Sequence, residues 1–468
     1  MYSFIFTSEN VRAFARLSGD FNPLHIDPVY ARRTLYGSRV VHGIFISLQA
    51  LECFAENRKR HFTLKKFKAT FIKPSFVGNI TSFNLMNSSI ENEQTIHVQN
   101  NSGMQIVKLY FEIADMKDEY DIKEGGFSKQ YPMGEEQDLS VVDQKLDLII
   151  DHSLLKEVFP NLHRCMSITQ IAYILTTTRC VGMYAPGLHS IYSTCDLNFS
   201  EISQKATDLS FSTEIYHPVM NLLNLKVSSN FCKGKISSFV RPKPVLQKSF
   251  IDIRKEVSPN SFKGQKALII GGSRGLGEIS TKILAAGGAN VHFTYFQGKY
   301  DAKQLLSEIN SDTMTHNTFK FDIFNTLKIQ EIKKLESLTH LYYFATPSII
   351  SYAGLSFDNK LFCYLNEAYI TGLSKLIEEL YKSGCKKLKV FSPSSIFVEQ
   401  QPKGFTEYSA AKAAFEIAIK SLEAKYPGLV TLCPRLPKFT TDLSASIIAS
   451  KDDQNDPIVT LYNYYKKF

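Results

Sequence analysis

The sequence predicts an α+β part followed by an α/β part. In the first part, an apolar run over residues 44–51 precedes segments in which apolar and polar residues alternate, such as 67–72 and 105–111. This order is typical of a helix followed by half-buried strands. In the second part, the short apolar segment 267–270 leads through a glycine-rich turn into a helical pattern, which indicates a strand–turn–helix unit of an α/β fold.

With 468 residues, the chain is long enough for about three domains. Two polar or proline-bearing stretches divide it, and both are predicted to be linkers. The predicted boundaries are a first domain at 1–115, a linker at 116–140, a second domain at 141–240, a linker at 241–262 and a third domain at 263–468.

The composition, 44% hydrophobic and 21% charged residues, is that of an ordinary soluble protein. We find no apolar run long enough to span a membrane and no secretory signal at the start of the sequence. Eight cysteines without a C-x-x-C pair favour reduced thiols in the cytoplasm over a disulfide framework or a metal site. The net charge of +9 suits acidic partners, but no nucleic-acid-binding module is recognisable.

The first candidate site is a loop that places Asp20 and His25 five residues apart, with Asn22 and Pro23 between them. Proline fixes its own φ and disfavours helical geometry in the residue before it, so the loop is predicted to be stiff. A carboxyl and an imidazole presented in this way can exchange protons with a water held between them. The alternative is that both side chains merely cap neighbouring backbone groups.

The surroundings of this loop resemble the signature of the MaoC-like (R)-specific enoyl-CoA hydratases and dehydratases. The matching residues are Ser18, Gly19, Asp20, Asn22, Pro23, His25, Ala31, Gly37 and the segment 40–43. The resemblance implies a hot-dog fold, in which a curved antiparallel sheet wraps around one long buried helix. It makes Asp20 and His25 the catalytic pair and the backbone N–H of Gly43 the oxyanion donor, a role that the start of a helix favours.

The middle region shows an apolar segment at 167–175 followed by strand-like patterns, and residues 186–197 look like the corresponding stretch in MaoC-like relatives. We therefore expect a second hot-dog unit that covers the first. It has no equivalent of the Asp20/His25 motif, so we expect it to be catalytically silent. His189 could reach a substrate, although a lone histidine is more often structural.

Basic residues between 58 and 68 form a cluster that could receive the phosphates of CoA or an acidic carrier protein. A solvated surface is the equally weighted alternative.

The third domain begins with a glycine turn that lies between a strand and a helix, the context in which such a turn binds a pyrophosphate. Its G-x3-G-x-G spacing resembles the short-chain dehydrogenase/reductase family. The resemblance implies a Rossmann fold with a doubly wound parallel sheet and an acidic contact to the adenine. The implied cofactor-binding residues are Gly271, Ser273, Arg274, Gly275, Leu276, Gly277 and Asp322.

The second strand of this domain, 290–295, ends without an acidic residue to bind a ribose 2′-hydroxyl. Arg274 lies in the glycine turn and Lys299 follows the strand. Basic side chains, in the absence of a carboxylate at the strand end, favour the binding of a ribose 2′-phosphate. The sequence therefore predicts NADPH over NADH.

Tyr408 and Lys412 lie four residues apart, a spacing that places them on one face of a helix. We expect the lysine charge to lower the pKa of the phenol, which would then pass a proton to a carbonyl under reduction. Ser395 would bind the same oxygen. Together with Asn366, these residues match the Asn-Ser-Tyr-Lys set of the family, and both Tyr408 and Lys412 are also expected to contact the cofactor.

Two segments depart from the family pattern. Residues 344–347 read Phe-Ala-Thr-Pro where relatives have Asn-Ala-Gly, and the usual proline-glycine is missing after residues 434–437. The substrate lobe is therefore expected to be small or open.

The prediction that follows is a bifunctional enzyme of acyl thioesters, carried on CoA or an acyl carrier protein. One site would interconvert trans-2-enoyl and (R)-3-hydroxyacyl thioesters by adding or removing water. The other would reduce 3-ketoacyl to 3-hydroxyacyl thioesters with NADPH, and both reactions would serve fatty-acid or polyketide biosynthesis. An NAD-dependent enzyme of the β-oxidation type and a carrier-binding scaffold with one degenerate site are the alternatives. A homodimer is possible.

Overall fold

A computed structural model describes residues 2–468 except 59, 87–89, 91, 102, 116–121, 134–136, 202–204, 206, 311–314, 326–331, 333, 334, 336, 348–356 and 442–454. The chain divides into two compact units that meet in sequence between Lys243 and Pro244. In the described residues, no helix is both long and apolar enough to cross a bilayer.

The first unit is built on one antiparallel sheet. Its strands are β1 (Tyr2–Ile5), β2 (Phe62–Phe71), β3 (Ile80–Met86), β4 (Glu93–Asn100), β5 (Gln105–Asp115), β6 (Lys123–Glu124), β7 (Asp143–Asp147), β8 (Ile149–Ile150), β9 (Ser190–Phe199), β10 (Asp208–His217), β11 (Leu222–Ser228) and β12 (Cys232–Val240). Among the described residues, ten of these strands join in the order β1-β3-β4-β5-β2-β9-β12-β11-β10-β7. The short strands β6 and β8 pair separately.

The strand order shows that the sheet consists of two equivalent halves. Each half contributes five strands in corresponding order, and the halves join where β2 pairs with β9, from Lys66 opposite Asn198 to Thr70 opposite Thr194. Each half also has one central helix, Gly43–Arg58 in the first and Ile168–Arg179 in the second. The prediction of a double hot-dog fold is confirmed.

Burial explains why the two central helices need this sheet. In the helix Gly43–Arg58, Ile44, Leu48 and Leu51 are completely buried, and they belong to one core that continues through both halves. In the second central helix every residue from Thr169 to Arg179 is buried. A helix that is buried on most of its sides is stable only when other elements enclose it, and the curved sheet encloses both helices.

The remaining helices of the first unit are short and lie mainly before the central helices. They are Ser8–Ser18, Pro23–Ile26, Pro28–Arg32, His152–Val158 and Pro160–Cys165, with a π-helical turn at Cys180–Tyr184 and a 3₁₀ turn at Gly187–His189.

The second unit is a Rossmann fold. Its strands are β13 (Lys266–Ile270), β14 (Asn290–Tyr295), β15 (Asn317–Lys320), β16 (His340–Tyr343), β17 (Leu388–Phe391) and β19 (Leu429–Leu432), with β18 (Ser394–Ser395) and β20 (Arg435–Leu436) as a separate pair. In the described residues, the first six form a parallel sheet in the order β15-β14-β13-β16-β17-β19. Numbered along the sequence, this order is 3-2-1-4-5-6, the doubly wound arrangement.

Helices cover both faces of this sheet. Along β13, Leu268 and Ile270 belong to the core on one face, whereas Ala267 and Ile269 belong to the core on the other. Strand residues that are buried on both faces of a sheet have to be apolar, as residues 267–270 are. The helices are Phe250–Glu256, Gly275–Ala286, Lys299–Ile309, Asn359–Asn366, Gly372–Lys382, Phe397–Gln400, Thr406–Lys425 and Pro457–Lys466, with a π-helical turn at Glu367–Thr371.

Both segments predicted as linkers contain ordered structure. In the first, β6 pairs with β8, and the backbone N–H of Met133 donates to the carbonyl of Met183 at 2.8 Å. In the second, the helix Phe250–Glu256 is capped by Ser249 and buries Ile253 in the core of the second unit. Polarity and prolines suggested open chain, but a few apolar residues suffice to attach each segment to a core.

Candidate active sites

The loop that carries Asp20 begins where the helix Ser8–Ser18 ends. Gly19 caps that helix in the left-handed conformation, with φ of 75°, which glycine adopts without strain. Asn22 then caps the short helix Pro23–Ile26 by accepting a hydrogen bond from the backbone N–H of Leu24 at 3.1 Å. Its amide donates to the carbonyls of Gly182 and Gly187, each at 3.0 Å, so the loop is fixed to the second half of the sheet.

The Asp20 carboxyl is almost fully buried, and both of its oxygens accept hydrogen bonds. Oδ2 accepts from the hydroxyl of Thr178 at 2.7 Å, and Oδ1 accepts from the backbone N–H of Asn22 at 3.1 Å. Burial raises the pKa of Asp20, while His25 and these hydrogen bonds oppose the rise. The protonated form of Asp20 is therefore more favoured in the folded protein than it would be in water.

His25 is oriented by its own hydrogen bond. Its Nδ1 lies 2.7 Å from the carbonyl oxygen of Val40, so Nδ1 carries the proton and donates to that oxygen. The lone pair is then on Nε2. Burial lowers the pKa of His25, although Asp20 opposes this effect. A neutral imidazole with its free lone pair on Nε2 is suited to act as a base.

His42 is a third titratable group in the site. Its ring stacks on that of His25 with centroids 3.7 Å apart, and its Nε2 lies 3.1 Å from the backbone oxygen of Asp20. Burial holds the pKa of His42 well below the usual range. In the sequence, His42 belongs to the motif at 40–43, and its position directly before the central helix is the signal that could identify it as a site residue.

The potential ligand atoms of Asp20, His25 and His42 lie within 4.8 Å of one another, a spacing also compatible with a metal ion. The two imidazole planes, however, are inclined by only 28° in a stack. Their in-plane lone pairs therefore do not converge on one point, as metal coordination requires.

The Asp20 and His25 side chains border a cavity of about 120 Å³. The Gly43 backbone also lines it, at the first position of the central helix, where an N–H has no partner within the helix. A side chain at Gly43 would place a Cβ 2.7 Å from the ring of Phe71. The lining residues from the second half are Thr178, Val181, Gly182, Ser190, Ile191 and Tyr192.

Thr178 and Gly182 were missed by the sequence analysis. Gly182 lies directly against the carboxyl, because a Cβ there would be 2.2 Å from Asp20 Oδ1. Both residues follow Asp20 by more than 150 positions, and no local pattern marks them. Only the pairing of the two halves brings them to the site. By contrast, His189 is buried but is not among the lining residues of the cavity.

The glycine turn of the second unit has the geometry of a phosphate-binding turn. Gly271 has φ of 76° and Gly275 has φ of 57°. At Gly277, a Cβ would lie 2.1 Å from the carbonyl oxygen of Gly271, so only glycine allows the helix to start this close to β13. Arg274 precedes the helix Gly275–Ala286, and an arginine side chain cannot accept a hydrogen bond from the first N–H groups of that helix. These N–H groups are suited to bind an anion.

The remaining predicted cofactor residues belong to the same turn or follow β15. Ser273 is buried within the turn, and Leu276 and Gly277 are in the first turn of the helix. Asp322 follows β15 and accepts a hydrogen bond from the backbone N–H of Phe324 at 3.0 Å. Strand β14 ends at Tyr295 without a carboxylate, as the sequence showed.

Tyr408 and Lys412 both lie on the helix Thr406–Lys425, and Ser395 is in β18. Burial raises the pKa of Tyr408 to about 12, and a hydrogen bond with Ser395 opposes the rise. The expected lowering of this pKa by Lys412 is wrong. The Lys412 ammonium instead donates to the carbonyl of Pro393 at 3.0 Å and lies 4.0 Å from the centre of the Tyr369 ring.

Burial lowers the pKa of Lys412 to about 8. Asn366 ends a helix immediately before the π-helical turn, and its buried Oδ1 has no hydrogen-bond partner among the described residues. An unpaired buried oxygen beside a π-helical turn is a feature that often marks functional sites.

Known proteins are similar to the part of the chain that contains the first site. Residues 3–105 match the family model described as "MaoC like domain". The chain is 41% identical over 76 residues to the mouse peroxisomal multifunctional enzyme type 2, covering 15% of this chain and 10% of that protein. It is 48% identical over 42 residues to an (R)-specific enoyl-CoA hydratase of Aeromonas caviae, covering 9% and 31%. The chain thus spans less than a third of the length of these relatives.

Solved structures similar to the chain include a short-chain dehydrogenase from Burkholderia cenocepacia J2315 in complex with NADP, with 21% identity, a TM-score of 0.36 and coverage of 40% of this chain and 79% of the other. Another is a 3-oxoacyl (acyl-carrier-protein) reductase from Agrobacterium tumefaciens C58 with NADP bound, at 20% identity, a TM-score of 0.35 and coverage of 39% and 72%. At these TM-scores the likeness adds nothing to the strand order described above.

The family match includes Asp20, His25 and Gly43, and the resemblance inferred from the loop is confirmed. The N-terminal part of this chain is a MaoC-like domain.

Proposed function

We propose that the chain is a bifunctional enzyme that acts on acyl thioesters at two separate sites. The first interconverts trans-2-enoyl and (R)-3-hydroxyacyl thioesters. The observation that carries this proposal is the pairing of Asp20 and His25 beside one cavity, with pKa values shifted in opposite directions. Such divergent shifts distinguish an acid from a base at neutral pH.

In hydration, His25 Nε2 removes a proton from water while the water oxygen bonds to C3 of the enoyl group. Asp20 donates its proton to C2, and the C2–C3 double bond becomes single. The Gly43 N–H binds the thioester oxygen as negative charge develops there. His25 then returns its extra proton to Asp20, so the pair is restored and one water has been added. Dehydration is the reverse.

The second site reduces the 3-keto group of a thioester. Tyr408 donates a proton to the carbonyl oxygen, and Ser395 binds the same oxygen. NADPH, when bound, supplies the hydride. The glycine turn would hold its pyrophosphate, Asp322 its adenine, and Lys412 its ribose. Support for the phosphorylated cofactor comes from Arg274 in the turn and from the missing carboxylate after β14.

The two reactions share the 3-hydroxyacyl intermediate. Because both sites are on one chain, the product released by one site meets the other site at a high effective concentration. With NADPH, the favoured direction is ketoreduction followed by dehydration, as in fatty-acid or polyketide synthesis. CoA and acyl carrier protein are both suitable carriers. We also propose a cytoplasmic location, which the eight free cysteines support.

Two assays on the full chain test this proposal. Hydration of crotonyl-CoA is expected for the wild type and for Tyr408→Phe but not for Asp20→Asn. Reduction of acetoacetyl-CoA with NADPH is expected for the wild type and for Asp20→Asn but not for Tyr408→Phe.

Failure of one wild-type activity on a panel of CoA and carrier-protein thioesters would favour the scaffold alternative with one degenerate site, and failure of both would refute the proposed function. A preference for NADH over NADPH would favour the β-oxidation alternative instead.

A further inference from the structure

We infer that Thr178, a residue of the second half of the sheet, is a positioning residue for Asp20 and stabilises the carboxylate that forms when Asp20 gives up its proton. The second half is then a working part of the hydratase site, although it has no acid–histidine motif. This inference rests on the proposed hydratase function.

The direction of the Thr178 hydroxyl is the first observation. Thr178 is buried near the end of the helix Ile168–Arg179, and its Oγ1 donates to Asp20 Oδ2 at 2.7 Å. The adjacent Thr177 is equally buried, but its hydroxyl donates to the carbonyl of Ile174 within the same helix, also at 2.7 Å. A threonine in a helix ordinarily bonds in this second way. Thr178 donates across to the other half instead.

The second observation is that the carboxyl is held on both sides. Oδ1 accepts from the Asn22 N–H at 3.1 Å and faces Gly182, where no Cβ would fit. Oδ2 is fixed by Thr178. Rotation of the carboxyl would break both hydrogen bonds. The orientation of the proton donor is therefore set by residues from both halves of the sheet.

The hydrogen bond affects the charged and neutral forms of Asp20 differently. A hydroxyl that donates to a carboxylate stabilises it more than it stabilises the neutral acid. Thr178 thus lowers the pKa of Asp20 against the larger, opposite effect of burial. Without it, Asp20 would be a weaker acid, and transfer of its proton to C2 would be slower.

A titration that requires no substrate tests this inference. The protonated carboxyl of Asp20 gives an infrared carbonyl band, identified as the band that is lost in Asp20→Asn. Loss of a hydrogen bond to a charged group is worth about one to two pKa units. In Thr178→Val, the pH at which this band disappears is expected to rise by about that amount.

Thr178→Ser keeps the hydroxyl, and Thr177→Val removes the neighbouring one, so both are expected to titrate like the wild type. An unchanged midpoint in folded Thr178→Val, or an equal shift in Thr177→Val, would overturn the inference.

Kinetics separate this inference from the proposed function. In hydration of crotonyl-CoA, kcat for Thr178→Val is expected to fall about tenfold with little change in KM, and Thr178→Ser is expected to restore it. A wild type inactive on every enoyl thioester would refute the hydratase function, while the infrared titration would still decide the role of the contact. Wild-type kcat and pH profile in Thr178→Val would refute the positioning role alone.

Discussion

The imidazole rings of His25 and His42 are stacked 3.7 Å apart, so a proton added to either ring would lie beside the other. Burial lowers the pKa of both residues, and their mutual repulsion lowers that of His42 further. Both rings are therefore neutral at pH 7. Asp20, with its raised pKa, supplies the only carboxyl that the hydration scheme requires.

This arrangement predicts a bell-shaped pH dependence for hydration. Activity requires one shared proton on the Asp20–His25 pair. It should fall at low pH as His25 gains a second proton, with a midpoint below the ordinary histidine value of 6.5 because its pKa is lowered. It should fall at high pH as the pair loses its proton. Measurement of kcat/KM for crotonyl-CoA across pH checks this, and an acid midpoint above 6.5 would contradict it.

Arg241 should influence the acid side of this profile. Its guanidinium is buried, donates to the Tyr30 hydroxyl at 2.7 Å and to the Leu188 carbonyl at 2.6 Å, and lowers the pKa of His25. Arg241→Met removes the charge, so the pKa of His25 and the acid midpoint of kcat/KM should both rise. Arg241→Lys, which keeps the charge, is the control. A midpoint that shifts equally in both variants would indicate a packing effect.

Gly182→Ala should strongly slow hydration and leave ketoreduction intact. The added methyl would lie 2.2 Å from Asp20 Oδ1, so the carboxyl must move. A loss of about a hundredfold is expected for misplacement of about 1 Å. Gly126→Ala is the matched control, since its Cβ would come no closer than 3.3 Å to another residue. The crotonyl-CoA and acetoacetyl-CoA assays measure both outcomes, and normal hydration by Gly182→Ala would show that the carboxyl position is not critical.

Ser395→Ala should change the reductase in rate and in pH dependence. The hydrogen bond from Ser395 opposes the rise of the Tyr408 pKa to about 12. Its loss should raise that pKa further, so the alkaline fall in acetoacetyl-CoA reduction should move to higher pH. The rate should also decrease about tenfold or more, because one donor to the carbonyl oxygen is lost. Ser394→Ala is a neighbouring control, since Ser394 donates to Glu416 at 2.6 Å instead.

Local sequence patterns were sufficient to predict many elements. Strand β14 was predicted at 290–295 and is found at Asn290–Tyr295, and the central helix begins at Gly43 as expected. Hydrophobic periodicity and the residues that favour turns can both be recognised within a few positions of sequence. The Asp20/His25 pair is likewise local, because five residues separate the two side chains.

Features that depend on distant parts of the chain were not predictable in the same way. Thr178 reaches Asp20 only because β2 pairs with β9 and thereby juxtaposes the two halves. Lys412 lies against Tyr369 because of how two helices pack, and this packing changes the electrostatic role expected from its spacing to Tyr408. Such contacts follow from tertiary packing, which short-range periodicity does not contain.

The pairing of β2 with β9 joins two halves of a single polypeptide, so each hydration centre is built from one chain. Since the acid-bearing loop and the threonine that supports it belong to one polypeptide, every copy carries both in equal number. Turnover per molecule should therefore be insensitive to dilution, whatever larger assembly the protein forms. Because one acid and one imidazole serve the whole centre, the second half does not need a pair of its own.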